Sequence, residues 1–112
     1  MIIAISAAGN TPDAVLDPRF GRAEHFMLYD TETHEYSHLD NGAVRTTAHG
    51  AGPQTSQKIT DVGAEVVITG NGPGGNAART LQAAGIRVLL CKKDATVKQA
   101  VGLYMQDKLT EA

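Results

Sequence analysis

The segment Gly70-Asn71-Gly72-Pro73-Gly74-Gly75-Asn76 leads straight into a helical pattern. A glycine-rich turn that opens a helix exposes backbone N–H groups and the positive end of the helix dipole, which is chemistry for an anion. Arg19 and Arg22 add permanent positive charge near the end of the stretch Ala8–Ala23. His25 and His49 are the histidines placed to reach the same edge, whereas His34 and His38 fall on what reads as a solvated strand. Cys91 ends a strand pattern on that edge. As the single cysteine it excludes an internal disulfide, and it excludes a cluster held by several thiolates of this chain. His49 and Cys91 are therefore the candidate metal ligands.

Each feature also has a plainer reading. Gly70, Gly72 and Gly75 satisfy the spacing of a dinucleotide fingerprint, with Asp94 following after the next strand, so a nucleotide-binding regulatory module is the alternative function. Pro73 weighs against it, because it removes an N–H donor from the turn. Cys91 also reads as a small buried hydrophobe, and Arg19 as the surface partner of Asp13 or Asp17. No Ser/His/Asp, paired-carboxylate or HExxH arrangement is visible, so no catalysis is expected.

The elements that must position these residues follow from periodicity. Ile2–Ala7 is a short apolar run and reads as a buried strand. His25–Asp30 is a second strand, with Phe26 and Leu28 on one side and Met27 and Tyr29 on the other. Thr31–His34 turns the chain into a more polar edge strand, Glu35–Asp40. Between the first two strands, Ala8–Ala23 is too long for an ordinary connection, and loops of that length are usually functional or disordered. Asn41–Gly52 is another glycine-punctuated loop. Pro53 then starts a helix with Thr55, Ile59 and Val62 on one face and Gly63 at its end. Glu65–Thr69 is a strand. A helix with Ala77, Leu81 and Ala84 inward stops at Gly85, and Ile86–Cys91 is the last strand. Thr96 and Gln99 form a capping box ahead of a stripe of Val97, Ala100, Val101, Tyr104 and Met105.

The order β-β-β-α-β-α-β-α predicts an α/β fold: a five-stranded mixed sheet, order 3-2-1-4-5, strand 2 antiparallel, helices on both faces. The loops Ala8–Ala23, Asn41–Gly52 and Gly70–Asn76 then share one edge, at the topological switch point between strands 1 and 4, where open α/β sheets bind ligands.

The chain has 112 residues, enough for one core, so residues 1–112 form a single domain. Aromatics at 4% are too few for a single-strand stacking platform, and a net charge of −2 with no basic run gives no nucleic-acid stripe. No apolar run reaches a membrane span, and the N-terminus reads as too short and uncharged for a signal peptide, so a cytoplasmic location without membrane partners is expected.

Asp17-Pro18-Arg19-Phe20-Gly21-Arg22-Ala23 with Phe26 and Tyr29-Asp30 resembles the first signature of the NifX/NifB-C-terminal/NafY family, the dinitrogenase iron–molybdenum cofactor-binding domains. Asn41 with His49-Gly50-Ala51-Gly52 is similar to the second. Gly63–Gly74, Asn76-Ala77, Leu81 and Gly85-Ile86 are similar to the third, and Thr96-Val97 with Ala100 and Tyr104 to the C-terminal helix. The resemblance spans nearly the whole chain in order.

It implies a ribonuclease H-like fold and a non-catalytic carrier or scaffold for a metal–sulfur cluster, with cofactor-donor or acceptor proteins as partners. Its implied binding residues are Arg19, Phe20, Gly21, Arg22, His49, Gly50, Gly52, Gly70, Asn71, Gly72, Gly74, Gly75 and Asn76. Arg19 stands where cofactor-binding members often carry a histidine, which favours a cluster held by charge and hydrogen bonds. Likeness to the small stand-alone members implies a molybdenum–copper sulfide cluster ahead of an iron–molybdenum cofactor or an iron–sulfur cluster.

Overall fold

The computed structural model describes residues 1–42 and 51–112. The apolar run at the start becomes β1 (Ile2–Ala7), whose Ile3, Ala4, Ile5 and Ala7 are fully buried. A strand covered on both faces has little room for polar side chains, and the one in β1, Ser6, is fully hydrogen-bonded. β2 (His25–Asp30) runs antiparallel to β1, and β3 (Tyr36–Asp40) antiparallel to β2. β4 (Ala64–Thr69) and β5 (Arg87–Leu90) run parallel to β1. A two-residue strand, β6 (Thr110–Glu111), adds antiparallel to β5, giving the order β3-β2-β1-β4-β5-β6. The expected 3-2-1-4-5 order holds, with β6 as an addition too short to show a period.

The helices α1 (Ala51–Asp61) and α2 (Gly75–Ala83) cover one face, and α3 (Val97–Met105) covers the other. Strand alternation divides the core accordingly. Ala4, Phe26, Val67, Ile59 and Leu81 pack on the α1/α2 side. Ile3, Ile5, Met27, Ile68, Val97 and Val101 pack on the α3 side. Phe26 and Met27 thus point to opposite faces, as their alternation predicts.

Several boundaries differ from expectation. Ala51 and Gly52, ahead of the expected start at Pro53, are already helical in α1. Ala84 is exposed because it is the C-cap of α2, not a member of its inward stripe. Met105, at the end of α3, is 51% exposed, since the stripe leaves the sheet after Val101. The Thr96–Gln99 capping box is present, each residue's side chain accepting from the other's backbone N–H. No helix among the described residues is long and apolar enough to cross a membrane.

The stretch between β1 and β2 is firmly tied down. Ala8 N–H donates to Val15 O, and Leu16 N–H to Ala95 O. Val97 N–H donates to Ala14 O, and Lys98 N–H to Pro12 O. Its first half is therefore stitched to the start of α3, and only its second half reaches the glycine-rich turn.

Candidate functional site

Ser6, Asp17 and Thr69 fix how the loop crosses the switch point between β1 and β4. Asp17 N–H donates to Ser6 O at 2.9 Å, and Ser6 Oγ donates to Asp17 O at 2.6 Å. Ser6 Oγ also lies 2.9 Å from Thr69 Oγ1. All three residues are buried, and every polar contact made here stabilises by avoiding an unsatisfied buried group. Pro18 then sits on the end of β4. Its carbonyl accepts from Asn71 N–H at 2.7 Å. A Cβ at Gly70 would lie 2.6 Å from Pro18 Cα, so only glycine permits this approach.

The switch point is thus filled by the loop itself. Gly70 and Asn71, expected as binding residues, are where Pro18 docks. Gly72 lies further out, on a separate groove beside α2 and β5. Because the three glycines of the fingerprint spacing lie in different surroundings, they do not form one phosphate cradle.

Past Pro18 the chain drops onto the α1/α2 face. Phe20 is 4% exposed and meets Phe26 edge-to-face, with centroids 5.7 Å apart. Anchored there, Phe20, Gly21 and Arg22 form one wall of a concavity of about 380 Å³. Gly52 and Pro53, in the first turn of α1, form the second wall; Gly74 to Ala77, at the start of α2, form the third. A Cβ on Gly52 would come within 3.0 Å of Ala77 Cβ, and Ser56 Oγ reaches Gly52 O and Ala77 O at 2.9 and 3.4 Å. The two helix N-termini are therefore packed side by side.

Electrostatically the concavity favours negative charge. Neither first turn carries an acidic residue, and Gly74, the N-cap of α2, offers no side-chain cap to its N–H groups. Among the described residues lining it, Arg22 is the only charged one. Arg79 donates to Asn76 Oδ1, bringing a second guanidinium to the rim. Arg19 contributes less than its charge suggested. Asp17 binds it bidentately, Nε–Oδ1 at 3.1 Å and Nη2–Oδ2 at 3.0 Å, and accepts from its backbone N–H as well. These hydrogen bonds first, and the carboxylate's charge second, raise the Arg19 pKa.

Asn41 supports the whole arrangement. Its fully buried amide donates to Ala23 O at 2.8 Å and Gly21 O at 3.3 Å, and accepts from Thr55 Oγ1 at 3.2 Å. It therefore joins the Gly21–Ala23 wall to α1. Sequence reasoning placed Asn41 in a loop without assigning this role, since its partners lie 14 to 20 residues away.

Of the expected site residues, Phe20, Gly21, Arg22, Gly52, Gly74, Gly75 and Asn76 come together here. His49 and Gly50 lie outside the described residues. Cys91 is 6% exposed in the α3-side core, away from the concavity, and burial pushes its thiol pKa up. His25 shares the α3-side face of β2 with Met27 and Tyr29 and does not line the concavity. Among the described residues no three His, Cys, Asp or Glu side chains converge as metal ligands.

Residues 1–107 match the family model described as dinitrogenase iron-molybdenum cofactor. The chain is similar to the apo form of the orange protein from Desulfovibrio gigas, with 40% identity and a TM-score of 0.94, over 99% of this chain and 92% of that one. It is also similar to a NifB-like protein of the DUF35 family from Thermotoga, solved by NMR, with 34% identity and a TM-score of 0.85, over 98% of this chain and 91% of that one. No curated protein sequence matches. The chain belongs to the dinitrogenase iron–molybdenum cofactor family.

Proposed function

From that membership we propose that the chain is a carrier for an anionic metal–sulfur cluster, held in the concavity without being chemically transformed. The cluster is of the molybdenum–copper sulfide or iron–molybdenum cofactor type, received from one partner protein and passed to another. One observation carries this reading: the Phe20–Arg22 segment and two acid-free helix N-termini converge on one opening of about 380 Å³.

The donor set fits such a cargo. A cluster that brings its own sulfide ligands needs neutralisation and hydrogen bonds more than protein thiolates. Backbone N–H groups at Gly75 and Asn76 and the Arg22 guanidinium are donors of that kind. Glycines at 74 and 75 have open space where Cβ atoms would be, so a bulky anion can approach the main chain. The buried Cys91 thiol, kept protonated by burial, is poorly suited to ligation.

Adding tetrathiomolybdate and copper to the metal-free chain tests this. A saturable sulfide-to-metal absorption band, weakened at least about tenfold in affinity by Arg22→Ala, is expected from loss of a charge-assisted contact. Absence of any saturable band would sink the proposal. So would a thermal shift with ATP or NAD and none with thiometallates.

A further inference from the structure

We propose that His25 and His38 form a second, separate site, which binds one divalent transition ion of the imidazole-preferring class, such as Zn2+ or Cu2+.

The two histidines stand on neighbouring antiparallel strands. In the register His25 faces Asp40 and Met27 faces His38, so the two histidines are diagonal neighbours on one sheet face. Their rings lie 4.8 Å apart, and His25 Nδ1 is 2.7 Å from His38 Nε2. Two nitrogens so close must share a hydrogen, one ring donating while the other accepts. An ion bound by both lone pairs replaces that hydrogen after a modest opening of the gap.

The proton balance is simple when both rings are neutral. The Glu24 carboxylate, 4.0 Å from His25 Nε2, favours a hydrogen on that outer nitrogen. His25 Nδ1 is then the acceptor and His38 Nε2–H the donor. On binding, His38 moves its proton from Nε2 to Nδ1 through solvent, and both facing lone pairs become ligands. No net proton is released. Glu24 lies on the outer side of His25 at 4.0 Å, beyond hydrogen-bond range, and contributes negative charge near the pair.

The frame is rigid, because both histidines belong to paired strands rather than loops. Asp40, opposite His25, gives one carboxylate oxygen to Gly42 N–H at 2.8 Å and adds negative charge beside the pair. With two protein nitrogens, water fills the remaining positions, as an exposed β3 edge allows. The site lies on the α3-side face, whereas the anion concavity opens on the α1/α2 side. It therefore does not depend on the cluster proposal.

The full metal-free chain should be titrated with ZnCl2 alone while the imidazole resonances are followed by NMR. One equivalent should shift His25 and His38 in concert. His25→Gln and His38→Gln should each lower the affinity at least about tenfold. His34→Gln should leave it unchanged, since His34 is engaged with the Tyr29 hydroxyl at 2.9 Å. His38 is exposed and His25 is partly buried, so far-UV circular dichroism checks that each variant is folded. Unmoved His25 and His38 resonances, or undiminished Zn2+ affinity in folded His38→Gln, would overturn the proposal.

Discussion

Replacing Asn41 by alanine should lower the melting temperature substantially although the residue touches no proposed ligand. The side chain is fully buried and makes three hydrogen bonds, to Ala23 O, Gly21 O and Thr55 Oγ1. At about 1 kcal/mol net for each, plus the penalty for carbonyls left in a dry site, the loss is roughly 2–4 kcal/mol. For a domain of this length each kcal/mol moves the midpoint by about 4 °C, so the expected drop is roughly 8–15 °C. Differential scanning calorimetry reads it directly. Asn41→Asp is the informative companion, because it keeps the acceptor for Thr55 but offers no N–H to the two carbonyls. Its carboxyl would have a folded-state pKa above the unfolded value. The destabilisation is then present above the unfolded pKa and is relieved as pH falls through the folded one. A midpoint within about 2 °C of wild type for Asn41→Ala would refute the reasoning, since half a kcal/mol is what an exposed side chain gives.

Gly70→Ala should cost roughly 1–3 kcal/mol, the range for forced overpacking, because its Cβ meets Pro18 Cα at 2.6 Å; urea denaturation checks it. Arg19→Ala should cost less than about 1 kcal/mol, since the guanidinium is half exposed and its pair with Asp17 is screened by water. It should also reduce thiometallate affinity less than Arg22→Ala does, by absorbance titration. Cys91 should react slowly with a thiol reagent in the native state and rapidly in urea, because burial holds its pKa above the usual thiol range. Its folded pKa exceeds the unfolded one, so its effect on stability appears only as pH rises past the unfolded thiol value, as a loss.

Much of the frame could be read from side-chain order. The β1 run, the Phe26/Met27 alternation and the Thr96–Gln99 cap each have a local period or spacing, and local physics suffices for them. The long loop was harder. Its hydrogen bonds from Ala8, Leu16, Val97 and Lys98 are main chain to main chain, and no side-chain pattern encodes them. Hence its second half was expected to line a cleft at the switch point, whereas Pro18 fills that point. Arg19 reads in sequence either as site charge or as the partner of Asp17, and the structure pairs it with Asp17, whereas Arg22 lines the concavity. Asn41 and the His25–His38 pair depend on register and on partners far along the chain. His38 was expected to be solvated, and it is exposed, but its neighbour across the strands emerges only once β2 and β3 are aligned.

The carrier proposal is tested most directly by mapping where a thiometallate binds. The metal-free chain, labelled with nitrogen-15, is titrated anaerobically with tetrathiomolybdate and copper while backbone amides are followed by NMR. The account expects saturable shifts concentrated at Gly21, Arg22, Gly75, Asn76 and Ala77, alongside a visible sulfide-to-metal band. Saturable binding that leaves those amides unmoved and shifts residues around Cys91 instead would contradict it.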